Sequence, residues 1–364
     1  MPTICFAYTT GSYSDIAPDP VADPIFDRFM RGRGDIYARL RTQGFDVVIS
    51  VDGKESFERA VNQTYVRGFT ANDAALPGHP IRLPVKGLDI IVNRTSKILE
   101  LADARTMVND AATYRYGNNK LKTYQDILAP NSLGIITLPV NNLADLDVAL
   151  DQFGQGHVVL KKVMGSLSEG LHIVDPPTAR RLAQTDGVGA QVSYIVQPRY
   201  DFTIPWPAEI VGLGNAEHSR GQLLREPHRP KELRVYIFLN LQPNRELQIV
   251  CYPAARIDNS NAEHMTPAGS NYLAVAPETV PRELYEGSEA AMRTLARITK
   301  SRAIYGCFDW GYGARHGSQA PPGWAIVEAN LCGPRLLEAD GFPQVGPILH
   351  SHYVDFLRRA ATTA

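Results

Sequence analysis

The sequence predicts an α/β domain over residues 1–115, followed by a longer region that mixes paired strands with helices. Three observations carry that reading. Apolar runs of strand length alternate with a helical pattern in the first segment. Beyond residue 115 the strands come in close pairs, with helical segments between them. The composition is that of a globular chain, with 44% hydrophobic and 21% charged residues over 364 positions. That length suits about two or three domains with buried cores.

The elements follow in order. Thr3-Ile-Cys-Phe-Ala-Tyr8 reads as a buried first strand, and a turn-rich stretch runs on through Gly11, Pro18, Pro20 and Pro24. Residues 34–43 carry a helical pattern. Phe45 to Ser50 and Leu88 to Asn93 read as the next strands, and the alternation predicts a small parallel sheet. Residues 118–128 predict a helix that stops before Pro130, and 143–153 a second one after Pro139. Residues 157–161 and 171–174 read as two strands joined by a short loop. A helix at 178–184 and a strand at 193–197 come next. Residues 201–231, rich in proline, glycine and charge, predict an excursion outside the core. Strands at 233–241 and 247–252 predict a hairpin over Gln242-Pro243-Asn244. A long helix at 282–300, strands at 304–310 and 324–330 around the loop 311–323, and a helix at 347–361 complete the pattern.

Charge and motifs exclude several functions. Lys plus Arg total 37 and Asp plus Glu 38, a net charge of −1. No nucleic-acid or membrane-surface partner is expected, because both call for a basic excess. No run of about 18 apolar residues predicts a membrane span. The opening MPTICFAYTT lacks the charged and apolar regions of a signal peptide. Cys5, Cys251, Cys307 and Cys332 lie in apolar surroundings without C-x-x-C spacing, which predicts buried thiols in a reducing cytoplasm. No G-x-x-x-x-G-K-[ST] loop occurs. Gly212-Leu-Gly214 and Gly311-Tyr-Gly313 begin a G-x-G-x-x-G pattern, but Glu217 and His316 occupy its third glycine. No H-E-x-x-H accompanies His264.

Two stretches carry chemistry. In Trp324-Ala-Ile-Val-Glu328-Ala-Asn330, alternate side chains share a face, so Glu328 and Asn330 point together. Asp309 lies on the preceding strand and falls beside Glu328 if the two strands pair antiparallel. Two carboxylates and an amide oxygen suit magnesium carrying phosphates. Spacing alone leaves open that each acid is paired with an arginine or lysine instead. In Val158-Val-Leu-Lys161-Lys162, a strand delivers a lysine ahead of the Gly165–Gly170 turn, whose N–H groups could face phosphate oxygens. The two lysines face opposite sides, and periodicity does not choose between them. An ordinary hairpin with exposed lysines fits the same pattern.

In this order, the segments from about 115 to 340 resemble the ATP-grasp superfamily, especially its carboxylate–amine ligases of the peptide- and glutathione-synthetase type. Asn119-Lys120-Leu121-Lys122 is similar to the N-D-K-L segment, and Val159-Leu160-Lys161 to the V-V-K-P strand. Tyr194-Ile-Val-Gln197-Pro-Arg-Tyr200 is similar to the adenine hinge, Glu232-Leu-Arg234 to the D-x-R strand, and Asp309 with Glu328-Ala-Asn330 to the metal set. The departures are Lys162 for proline, Pro198 in the hinge, and the 201–231 excursion.

The resemblance implies an α+β ATP-grasp domain of two subdomains, 116–200 and 201–364, with ATP between them. Residues 1–115 would be the preceding α/β domain, matched by position and not by motif. It implies ATP and magnesium as cofactors. Lys120 and Lys161 would take the phosphates, Ser166 would lie in the loop over them, and Gln197 and Arg199 would meet the adenine. Asp201 would hold the ribose, and Arg234 the transferred phosphoryl and the oxyanion. Asp309, Glu328 and Asn330 would hold the metal, with Arg256 and Asn271 as further polar cleft residues. The implied activity joins a small carboxylate to an amine, such as amino acids or peptides, through an acyl phosphate. A homodimer is part of the same expectation. A kinase on the same fold and a nucleotide-binding regulator without turnover are the alternatives. His350-Ser351-His352 reads as exposed helix, Arg94 as a surface ion pair or an anion site, and 265–270 as a loop.

Overall fold

The structure is a computed structural model. It describes residues 1–8, 36–50, 57–60, 63–71, 77–94, 101, 104–154, 156–164, 171–189, 193–213, 222–242, 244, 246–258, 270–331 and 344–362.

Among the described residues, seven strands precede residue 115: β1 (Thr3–Tyr8), β2 (Asp46–Ser50), β3 (Phe57–Ala60), β4 (Gln63–Ala71), β5 (Pro77–Pro84), β6 (Ile90–Arg94) and β7 (Met107–Val108). β1, β2, β6 and β7 run parallel, and Cys5 stands between Val48 and Ile91. The sheet is mixed, however, because β3, β4 and β5 extend it antiparallel beyond β2. The sequence hides β5 behind three prolines. Among the described residues this strand pairs with β4 alone, and an edge strand is where proline is tolerated in a sheet.

Four strands build a second, antiparallel sheet: β8 (Leu138–Val140), β9 (Val158–Lys162), β10 (Leu171–Val174) and β11 (Tyr194–Pro198), in the order β10-β9-β11-β8. The helices Leu143–Phe153 and Pro176–Thr185 pack on one face through Leu146, Leu150, Ala179 and Ala183. Asn142 and Asp175 cap them, each side chain accepting a backbone N–H of the first turn. The helix expected at 118–128 is broken. Helix Ala111–Gly117 ends, Asn119 leaves helical geometry and caps Lys120–Thr123, and a π turn spans Tyr124–Leu128.

The remaining strands are β12 (Tyr200–Asp201), β13 (Lys231–Leu241), β14 (Leu247–Asp258), β15 (Ser270–Ala274), β16 (Ala303–Arg315) and β17 (Gly323–Asn330). β13 lies between β14 and β16, antiparallel to both. Helix Arg282–Thr299 covers one face through Leu284, Met292 and Leu295. Helix Gly346–Thr362 covers the other, placing Tyr353 and Phe356 against Phe238. The second core also holds Ile4, Phe6 and Tyr37 from the chain's start.

β7 joins β16 in parallel, at Val108 beside Ala303. The next residue, Asn109, has a left-handed φ of 56°, and its side-chain amide makes both hydrogen bonds to the Tyr305 backbone at 2.9 Å. One sheet and one core therefore cross residue 115.

Two sequence expectations are corrected by burial. The described part of residues 201–231 does not stay outside the core, since Trp206, Ile210 and Leu224 are packed within it. Three apolar residues scattered among prolines and charges have no period to reveal them. The 350–352 segment is not simply exposed either. His350 is wholly buried, and His352 packs on Phe238 and Tyr252. Cys5 and Cys307 are buried free thiols and Cys251 is half-buried; Cys332 lies outside the described residues. No described helix is long and apolar enough to cross a membrane.

Candidate nucleotide site

A cavity opens between the four-stranded sheet and the large sheet. The pleat decides what enters it. Val158, Leu160, Tyr194 and Val196 point into the helix-covered core, so Val159, Lys161, Ile195 and Gln197 point the other way, into the cavity. This settles which lysine faces the cleft. Lys161 stands beside Ile195 on the cavity side, whereas Lys162 turns outward to Asp186 at 3.6 Å.

Lys161 is buried, and its ammonium reaches across to the Val327 carbonyl at 3.5 Å. Burial pushes its pKa down, and the nearby Glu328 opposes that shift. Lys120 also lines the cavity. Its pKa falls for the same reason and is raised by the same glutamate. The Lys120 N–H donates to the Val163 carbonyl, so the two lysine-bearing segments are tied by a backbone bond. Both lysines and Glu328 thus line the same cavity.

On the opposite wall, β16 and β17 pair antiparallel with Asp309 beside Glu328, as the spacing predicted. Asn330 Nδ2 donates to Asp309 Oδ2 at 2.9 Å. Arg234, from the neighbouring β13, holds both Asp309 oxygens at 2.7 Å, and its third nitrogen donates to the Tyr272 hydroxyl at 3.0 Å. Asp309 is wholly buried and does not line the cavity; Glu328 does. The two acids are cross-strand neighbours, and Asp309 is paired to an arginine, as one of the two readings of the spacing had it. Their oxygen chemistry suits a hard divalent cation. Such an ion would have Glu328 facing it directly, and Asp309 would have to exchange Arg234 for it.

The other expected residues divide. Gln197 lines the cavity, and its amide donates to the Thr137 hydroxyl at 2.7 Å. Arg199 lines it as well. Asp201 does not: its Oδ1 accepts from the Thr203 N–H and hydroxyl at 2.9 and 2.7 Å, which turns the carboxylate back on its own chain. Arg256 lines the cavity and pairs with Glu232 at 3.3 Å, whereas Asn271 is exposed. Ser166 and the Gly165–Gly170 loop lie outside the described residues, as do 265–269 and the side chain of Arg94.

Among the cavity residues to which sequence reasoning assigned no role are Tyr200, Phe202, Lys231 and Glu232. Glu232 could have been found, since it shares a strand face with Arg234. Burial, with Asp309 adding to it, raises its pKa to about 7 against the pull of Arg256 and Arg234.

This architecture, with a cleft between a small antiparallel sheet and a larger sheet, is the ATP-grasp fold. The D-alanyl-alanine synthetase A from Vibrio cholerae shares it at a TM-score of 0.57 and 13% identity, over 99% of this chain and 97% of that one. D-cycloserine synthetase DcsG matches at 0.54 and 14%, over 97% and 99%. The macrocyclase MdnC from Microcystis aeruginosa, solved with its precursor peptide, matches at 0.54 and 12%, over 98% and 100%. No family model matches the sequence, and no curated protein matches it either.

Proposed function

We propose that the chain is an ATP-dependent carboxylate–amine ligase that works through an acyl phosphate. The observation that carries this is the pair of lysines, Lys120 and Lys161, lining one cleft with Glu328, while Arg234 and Asp309 lie on the strands behind it. The structural relatives include enzymes named for joining D-alanine units and a peptide macrocyclase, which supports amino acids or peptides as substrates.

In this reading the lysines neutralise the phosphates as the substrate carboxylate attacks the terminal phosphorus. Phosphoryl transfer asks for positioning and charge neutralisation more than covalent help. Magnesium held by Glu328, Asp309 and Asn330 would supply further charge neutralisation. Arg234 does not line the cavity and holds Asp309 from behind it, so the oxyanion role expected of it would require the guanidinium to leave that carboxylate. The apolar side chains lining the cleft, among them Val159, Ile195 and Ile326, exclude water from a reactive acyl phosphate.

The test is a paired screen of amino acids and dipeptides for ADP release, repeated with hydroxylamine as the acceptor. A ligase gives a hydroxamate, because only an acyl phosphate acylates hydroxylamine; a kinase gives ADP without it. Asp309→Asn and Glu328→Gln are each expected to lower the rate by more than about 100-fold. Full turnover in both variants would refute the assignment.

A further inference from the structure

The stretch 201–231 departs from the family pattern, yet it forms one wall of the cavity through Phe202, Pro230 and Lys231. Lys231 is wholly buried. Its ammonium donates to three backbone carbonyls, those of Thr203 at 3.3 Å, Glu226 at 2.6 Å and Arg229 at 2.8 Å. Its backbone N–H donates to the Phe202 carbonyl at 3.4 Å. A lysine ammonium has three N–H donors, so all of them are spent on holding this one stretch.

What it holds in place is aromatic. The Phe202 ring stacks on Tyr200, with centroids 5.8 Å apart and planes within 9°. The ring also lies against β16, where two glycines make room. A Cβ at Gly311 would fall 2.5 Å from Phe202 Cδ1, and one at Gly313 would fall 2.7 Å from it. Tyr200 and Phe202 follow Gln197 along the chain, away from the Ile195–Lys161 pair. The aromatic pair therefore continues from the strand expected to meet the adenine, and Phe202 stands beside Gly311 together with Val327, whose carbonyl accepts from Lys161.

We propose that Lys231 is a positioning residue for base recognition: it ties Phe202 and Thr203 to Glu226 and Arg229 so that Tyr200 and Phe202 present an aromatic wall to the base of the nucleotide. The inference rests on the nucleotide reading above. Its content is that Lys231 governs binding of the base and not of the phosphates, although it is a cation in a phosphate-binding cleft.

The charged groups around Lys231 give a second readout. Burial lowers its pKa to about 8, with Glu226 and Asp201 opposing the shift and Arg229 adding to it. A neutral amine has two N–H groups for three carbonyls, so the wall loosens as pH rises through that value. Stability moves the other way. The unfolded lysine keeps its proton to a higher pH, so this group's linkage raises stability between about 8 and 10. A purely structural role therefore predicts stability rising with pH and no change in base recognition.

The experiment measures calorimetric binding of ATP and of inorganic tripolyphosphate to the full chain, its Lys231→Met variant and its Phe202→Leu variant. Phe202→Leu keeps the lysine network intact and guards against misfolding of the first variant. ATP affinity is expected to fall about tenfold in both variants, with tripolyphosphate affinity unchanged within about twofold. Between pH 7 and 9 the wild-type preference for ATP over tripolyphosphate should shrink relative to that of Lys231→Met, which carries only the titration of the ligands and of the remaining groups. Equal losses for both ligands, or no loss for either, would overturn the positioning role while leaving the nucleotide reading intact. A wild-type chain that binds neither ligand would sink both.

Discussion

The Arg234–Asp309 pair offers the sharpest test of the site as built. Asp309 is wholly buried, and both its oxygens accept from Arg234 at 2.7 Å. Asp309→Asn keeps the shape and removes the charge, leaving a buried guanidinium without its anion. Breaking such a pair from one side costs about 3–5 kcal/mol. Two charge-assisted bonds at about 1.5–3 kcal/mol each lead to the same range. Among the described residues, Arg234→Met leaves the buried carboxylate with the Asn330 amide at 2.9 Å as its side-chain donor, so a similar loss is expected. The double variant leaves no unpaired charge. It should cost less than the sum of the singles by at least about 2 kcal/mol. Urea unfolding of the four proteins at constant pH, without nucleotide or divalent metal, measures this cycle. A coupling below about 0.5 kcal/mol would refute the reasoning, because it would mean that the two groups are not partners in the free protein.

Two further outcomes follow from the same neighbourhood. Glu232 has a folded pKa of about 7 against an ordinary value of 4.5, with burial as the main cause. The stability it contributes is present below the lower value and is lost as pH rises through the upper one. Wild type should therefore lose stability relative to Glu232→Gln between about pH 4.5 and 7, read as Tm against pH, and parallel curves would contradict this. Gly311→Ala sets a methyl 2.5 Å from Phe202 Cδ1 and 2.8 Å from Val327 Cγ2. The expected cost is about 1–3 kcal/mol on thermal unfolding, since a packed core yields little to an added carbon. An unchanged Tm would mean that the Phe202 ring does not lie on the strand.

Much of this molecule could be read along the chain, for a local reason. Period and capping signals are carried by neighbouring residues, so the helices at 143–153 and 282–299 and the strands around Asp309 and Glu328 were legible. Alternation on β17 likewise placed Glu328 and Asn330 on one side. The same logic failed for β5, where prolines break the alternation, and for Trp206, Ile210 and Leu224, which enter the core one at a time.

What the tertiary structure alone decided concerns partners distant in sequence. Alternation says that Lys161 and Lys162 oppose each other; only the helices packed on Val158 and Leu160 make one side the core and turn Lys161 into the cleft. A motif can offer Asp309 as a ligand, but its engagement by Arg234 depends on the register of two strands far apart in the chain. Asp201 met its partner Thr203 within its own turn, and Lys231 found three carbonyls on a stretch that composition marks only as irregular. Side-chain direction is a property of the local backbone, whereas burial and charge pairing belong to whatever the fold brings against it.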